Sequence, residues 1–326
     1  MITQRRWLLP CLLALVAVLT AASMLVGKLT LTWDTWANQD AVTRVIFLEL
    51  RVPRALLAVI IGGALGLAGA AMQGYLRNAL ADPGTLGISS MAALGAVLSI
   101  FCGIADLHPW VLPIAGVLGG VLGMTALFTL AGLTGSMLTL VLAGILLSSL
   151  SIAGISLLLS LSPSPWAAGE IVRWMLGALV DRSVDDLIIA TPIIVLGAAA
   201  IYSCREALNA LTLGESGARS LGIDLNRVQW QLCGGVGLIV GASVAVAGII
   251  GFVGLVVPHL LRPLVRAQPA ALLIPSALGG AGLLLAGDIL VRLLPGGSEL
   301  QLGVVMSLVG APFFFALLYS MRRRVV

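Results

Sequence analysis

Apolar runs long enough to cross a lipid bilayer recur along almost the whole of this sequence, from Trp7–Val26 to Leu302–Tyr319. A helix needs about 18–20 apolar residues to span the hydrocarbon core, and many windows here exceed that. Composition agrees, with 60% apolar residues, 10% charged residues and a mean hydropathy of +1.11. Soluble chains are usually about 45–50% apolar, so an ordinary soluble domain is excluded. The expected fold class is an all-α membrane protein, a polytopic bundle of about ten transmembrane helices built as a single domain over residues 1–326.

The spans are expected at about Trp7–Val26, Ala55–Leu76, Leu86–Ile104, Val111–Leu130, Met137–Leu161, Leu187–Ser203, Val228–Ala247, a short irregular segment within Phe252–Val265, Ala271–Ala286 and Leu302–Tyr319. The first follows Arg5 and Arg6, and its apolar run is longer than the roughly 7–15 residues of a signal-peptide core, so it reads as a helix. With the N-terminus inside, eleven Lys and Arg lie on the cytoplasmic side against seven outside. Four acids lie inside and ten outside, which leaves net charges of +7 and −3. Cationic loops stay on the cytoplasmic side, so both termini are expected there, in a multi-pass inner-membrane protein. The net charge of +4 is spread along the chain and gives no nucleic-acid footprint.

Small residues recur at helix-packing spacing: Gly62 and Gly66, Gly116 and Gly120, Gly119 and Gly123, Gly237 and Gly241. Helices in lipid associate through close backbone approach, and these pairs read as packing faces. The two halves show no sequence repeat, which disfavours an inverted-repeat carrier. Four scattered cysteines form no CxxC or zinc spacing and read as small apolar helix residues.

Two polar breaks stand out. Ser162–Asp186 is amphipathic, bounded by Pro163 and Pro165, and carries Trp166, Arg173 and Trp174. Its tryptophans read as interfacial anchors. Leu211–Asp224 reads LTLGESGARSLGID, within a polar segment at about 204–227. Thr212 as N-cap and Glu215 three residues on predict a capping box. Gly222 suits a left-handed helix end, and Asp224 suits the cap of the next helix. Leu213 and Leu221 are too few to form a core, while Gly214, Gly217, Ala218 and Gly222 keep one surface low. The segment is either an ordinary loop helix or a docking helix for a soluble partner.

That stretch resembles the cytoplasmic coupling segment of permeases of type II ABC importers, the family that takes up iron–siderophore complexes, haem and vitamin B12. Four other stretches agree, in family order: RVPR at Arg51–Arg54, QGYLRNALADPGTLGISS at Gln73–Ser90, GFVGLVVPHLLR at Gly251–Arg262 and GVVMSLVGAPFF at Gly303–Phe314. The resemblance implies a homodimer, two cytoplasmic ATPase subunits that bind ATP and Mg, and a periplasmic substrate-binding protein. No cofactor is implied for this chain itself. It implies ATPase coupling through Leu213, Gly214, Glu215, Ala218, Arg219, Leu221 and Gly222. It implies a cytoplasmic gate at Asn78, Leu80, Thr134, Gly135 and Ser136, a short periplasmic helix over about 162–186 with a pathway mouth at Arg173 and Trp174, and a structural motif at Pro258 and His259. Arg51, Arg54 and Arg292 would receive acids of the binding protein. Their residue-level alternative is pairing with lipid or with local groups, Asp288 being an i to i+4 partner for Arg292. On the docking reading, Arg51→Glu with Arg54→Glu should leave membrane insertion unchanged. Pro53 is expected to make Arg51–Arg54 a turn at the start of the second span. Ala79, Met91 and Met306 depart from the family's usual proline, glycine and threonine.

The apolar spans hold almost no ionisable groups, whereas ion-coupled carriers usually retain some at a cost. No GxxxxGK[ST] pattern occurs, so ATP hydrolysis belongs to a separate chain. The alternatives are an ion-coupled carrier or channel, and an intramembrane serine hydrolase pairing Ser89 or Ser90 with His259. No oxyanion feature accompanies that pair, and His259 beside Pro258 is expected to bond a freed carbonyl. His108 and His259 are too far apart in sequence to suggest a metal site.

Overall fold

The computed structural model describes residues 3–27, 41–132, 137–294 and 300–322. Among the described residues the chain is helices and turns, without a strand. The helices are α1 (Thr3–Leu25), α2 (Val52–Tyr75), α3 (Ile88–Phe101), α4 (Val111–Ala131), α5 (Met137–Ser160), α6 (Pro165–Met175) and α7 (Val184–Ser203). They continue with α8 (Arg205–Ala210), α9 (Gly214–Ser220), α10 (Leu225–Ala247), α11 (Val253–Leu261), α12 (Pro269–Leu293) and α13 (Leu302–Arg322). Seven segments, Trp7–Leu25, Val42–Tyr75, Val111–Ala131, Leu138–Ser160, Val184–Ser203, Leu225–Ala247 and Pro269–Leu293, are long and apolar enough to cross a membrane. Three further apolar segments, Ile88–Phe101, Val253–Val265 and Leu302–Leu317, are shorter.

The second span starts earlier than its composition suggests. Helix runs through Ala41–Val45 and a π-helical turn at Ile46–Arg51 directly into α2. The expected turn at Pro53 is therefore absent. Proline has no N–H and crowds the carbonyl four residues back, and the widened π turn just upstream accommodates both defects.

α2 and α10 are the interior helices, each 78% buried over its most apolar window, whereas α1 is 6% buried and lines the perimeter. Size explains the choice. α2 presents Gly62, Gly66 and Gly69 along one face, and its backbone lies directly on its neighbours. A Cβ on Gly62 would stand 2.5 Å from the Gly280 carbonyl oxygen and 2.7 Å from Leu284 Cβ on α12. One on Gly66 would strike the Ser276 carbonyl, and one on Gly69 the backbone of Gly254 on α11. The α4–α10 contact has the same form, with Gly120 against Gly237 and Gly116 against Gly241 at 2.7 and 2.8 Å from a built Cβ to the facing carbonyl oxygen. Gly119 and Gly123 make room for Met91 of α3, and Gly287 makes room for the buried Met306. Two of the three departures from the family pattern, Met91 and Met306, thus fill space left by a glycine on the facing helix.

Overpacking such a contact costs about 1–3 kcal/mol. Gly62→Val is expected to lose stability of that order, read as a lower melting temperature of the purified protein. Gly234→Ala, where nothing lies within 4 Å of the new Cβ, should leave it unchanged.

Candidate functional site

Residues 204–227 form an anchored shelf at one end of the bundle. Leu208, Leu211 and Ala218 are fully buried or nearly so, the last two packing with Tyr75 and Ile223. The Asn209 side chain accepts the Ala270 amide at 3.0 Å, which caps the start of α12 and ties the shelf to it. The expected capping box does not form. Thr212 donates its hydroxyl backwards to the Asn209 carbonyl at 2.7 Å, and α9 begins after Leu213 without a side-chain cap. A 3-10 turn at Leu211–Leu213 and a left-handed Gly214 (φ +88) start the helix instead. Gly222 (φ +80) closes it, and Asp224 caps α10 through the amides of Asn226 and Arg227 at 3.0 and 3.2 Å. Leu213 and Leu221 remain 69% and 62% exposed, flanking exposed Arg219, while Glu215 is half-buried. The anchored surface thus presents two bare leucines, with a left-handed glycine at each end of its helix.

Above the shelf lies a polar junction that the sequence reading missed. Gln73, buried near the end of α2, donates to the carbonyls of Gly254 and Leu255 at 3.1 and 3.4 Å. Its oxygen accepts from the Arg262 guanidinium at 2.6 Å. One amide thus locks α2 to both ends of α11, just where Gly69 lets the two backbones touch. A glutamine inside an otherwise apolar run was the available signal, because a buried amide demands partners. In the following loop the Asn78 carbonyl side chain accepts the Leu80 amide at 3.0 Å, forming a tight turn with both residues half-buried. Thr134, Gly135 and Ser136 lie outside the described residues. Asp82 is buried in the same loop, and its Oδ2 accepts the Gly84 amide at 2.9 Å. Burial pushes its carboxyl up to about 6, offset only in part by bonds from Gly84 and Thr85.

At the opposite end, Arg51, Arg54 and Arg292 turn inward. Asp288, fully buried, receives Arg54 at 2.9 Å and Arg292 at 2.6 Å. Arg292 also donates to the carbonyls of Ser23 and Val26 at 2.6 and 2.8 Å and to the Ser23 hydroxyl. Arg51 donates to the carbonyls of Met24 and Leu25 at 3.2 and 2.9 Å. Two guanidiniums therefore satisfy the last carbonyls of α1, which its own helix leaves open, and oppose the negative end of its dipole. The i to i+4 pairing of Arg292 with Asp288 is present, and charge reversal at Arg51 and Arg54 would remove the bonds that Arg51 gives the α1 carbonyls and Arg54 gives Asp288. Sequence could not supply Arg54, because its partner is 234 residues away.

Near that end a cavity of about 430 Å³ is lined by Asp106, Glu170, Trp174 and Asp185 among others. Trp174 borders it, while exposed Arg173 lies over the Trp166 ring at 5.4 Å. Pro258 lies inside α11, and His259 meets Phe313 of α13 edge-on at 5.9 Å between ring centres. The carbonyl bond expected for His259 is not made: its buried Nδ1 has no partner among the described residues. Among the described residues no group of three or more His, Cys, Asp or Glu could hold a metal ion.

The described residues form a helical bundle with tight interior packing and an anchored, partly exposed shelf at one end. The comparisons supply its family. The model of the FecCD transport family matches residues 14–320, and the chain belongs to that family. It is 37% identical over 334 residues to the hemin transport system permease protein HmuU of Yersinia pestis, covering 98% of both chains. It is 36% identical over 308 residues to the vitamin B12 import system permease protein BtuC of Vibrio cholerae, covering 90% of this chain and 88% of the other. A metal-chelate type ABC transporter solved in an inward-facing conformation superposes with a TM-score of 0.85 and 31% identity, covering 96% of this chain and 98% of that one. The chain is a permease subunit of an ABC importer, and ATP hydrolysis resides on a separate subunit.

Two predictions follow from the buried charges. Asp288→Ala strands Arg54 and Arg292 and should cost about 3–5 kcal/mol. The expected readout is a lower melting temperature with faster proteolysis at the α1 end. Asp82 binds a proton more tightly in the folded chain than in the unfolded one, where an aspartate titrates near ~4. Stability should therefore be highest below that pH and fall by on the order of 2–3 kcal/mol as pH rises through about 6. Melting curves of Asp82→Asn between acid and neutral pH should lack this component.

Proposed function

We propose that this chain forms, as a homodimer, the pathway of an importer carrying an iron(III)–siderophore complex, haem or cobalamin from periplasm to cytoplasm. The single observation that carries the reading is the near full-length match to permeases named for hemin and vitamin B12 import. In this reading residues 1–326 make one inner-membrane domain. The three shorter apolar segments join the seven long ones, giving ten spans with both termini cytoplasmic. Two ATPase subunits, which hold ATP and Mg, dock on the shelf. A periplasmic binding protein delivers cargo at the opposite face. Closure of the ATPases moves the shelves and alternates access to the pathway, and no bond in the cargo is made or broken.

The exposure of Leu213, Leu221 and Arg219 supports the shelf as the ATPase contact. Asn78 and Leu80, at the inner end of α2, are assigned to the cytoplasmic gate with Thr134, Gly135 and Ser136. Cysteines at Ser136 across the dimer should crosslink in one nucleotide state only. Arg173 and Trp174 are assigned to the outer mouth. For Arg51, Arg54 and Arg292 the burial favours a structural clasp, so that any acid of the binding protein would have to displace Asp288 or the α1 carbonyls.

The decisive measurement is ATP hydrolysis by the reconstituted permease with its ATPase and binding protein. Ferric hydroxamate, ferric catecholate, haem and cobalamin would be supplied in turn. Stimulation by one of the four is expected, and stimulation by none would sink the reading. Leu213→Glu with Leu221→Glu should abolish ATPase capture without shifting the melting temperature. Arg219→Glu should weaken capture. Gly214→Trp is a poorer probe, because a side chain at φ +88 strains the backbone whatever docks there.

A further inference from the structure

We propose that the cavity between the shelf and the adjoining ends of α2, α11 and α12 is a binding site for a phosphate group. The cavity holds about 250 Å³ and is lined by Gln73, Arg77, Thr212 and Arg262 over a floor that includes Pro269 and Leu272. No carboxylate is among its lining residues. Two of the four polar side chains are already committed. Gln73 uses both ends of its amide on α11, and Thr212 donates its hydroxyl to Asn209. The donors left to face a ligand are the two guanidiniums.

Each guanidinium shows unused capacity. Arg262 is held by Gln73 through one terminal nitrogen, while its buried Nε has no acceptor among the described residues. A buried N–H without an acceptor is uncommon and calls for one. The Arg77 side chain makes no hydrogen bond or ion pair among the described residues, and its backbone is held left-handed at φ +49. That conformation is rare for a residue with a side chain. It sends the guanidinium towards the shelf, 4.0 Å from where a Cβ on Gly214 would stand.

Two planar forks bordering one cavity match the tetrahedral oxygens of a phosphate, which can accept from both at once. The phosphate could belong to a phospholipid headgroup or be free in solution. Leu260 and Leu264, two residues either side of Arg262, are 57% and 54% exposed, so a lipid-facing apolar surface adjoins the cavity. Basic pockets between helices at the cytoplasmic boundary take anionic headgroups. Only this choice of leaflet rests on the proposed orientation.

The test uses the full-length permease in detergent, where both faces are accessible, and needs neither cargo nor ATPase. Native mass spectrometry would compare retention of phosphatidylglycerol with that of phosphatidylcholine, whose cationic headgroup neutralises its phosphate. Thermal melting would compare inorganic phosphate with chloride at equal ionic strength. Arg77→Gln, which leaves the Gln73–Arg262 lock in place, should reduce phosphatidylglycerol retention about tenfold. Arg262→Gln should do the same. Stabilisation by inorganic phosphate that disappears in Arg77→Gln would support the site with a soluble source. Equal binding of both ligands to wild type and Arg77→Gln, or no binding to wild type, would overturn the proposal.

Discussion

Between two apolar helices in hydrocarbon there is little left for the hydrophobic effect to do, so distance of approach decides which helices pair. The bundle depends on one instance of this constraint. α2 can lie backbone to backbone on α12 and α11 because Gly62, Gly66 and Gly69 present no side chains to Gly280, Ser276 and Gly254. Van der Waals contact at that range, rather than burial from water, makes α2 the axis of the fold. α10 repeats the solution against α4.

Charges appear where this packing ends. At one end of α2, Arg54 and Asp288 join it to α12, while Arg51 and Arg292 close the open carbonyls of α1. At the other end, Gln73 and Arg262 bind it to α11. The ends fix which helices are joined, and the glycine faces fix their register, because a shift along the axis would bring a side chain against the facing backbone. The shelf is tied to the Gln73 end through Tyr75 and Asn209, so a displacement of the shelf reaches α2 and α12 directly.

Local chemistry was legible in the sequence. Apolar length located the helices, glycine spacing located the close contacts, and Gly222 and Asp224 marked real helix ends because each acts on its own backbone within a few residues. The order of five motifs identified the family. What the sequence reading got wrong involved a choice among partners. Thr212 had two carbonyl and amide partners within reach and took Asn209 rather than the cap. Pro53 was read as a turn because the π turn that accommodates it carries no residue signature.

Tertiary structure alone decided the rest. Whether Arg51, Arg54 and Arg292 face a partner or the interior depends on the C-terminal carbonyls of α1 and on Asp288, up to 269 residues away in sequence. Whether Arg77 and Arg262 border one cavity depends on how the shelf is hung beneath α2. An arginine's reach is several ångströms in any direction. Its residue type fixes what it needs, while only the packed chain fixes which acceptor is near enough to meet that need.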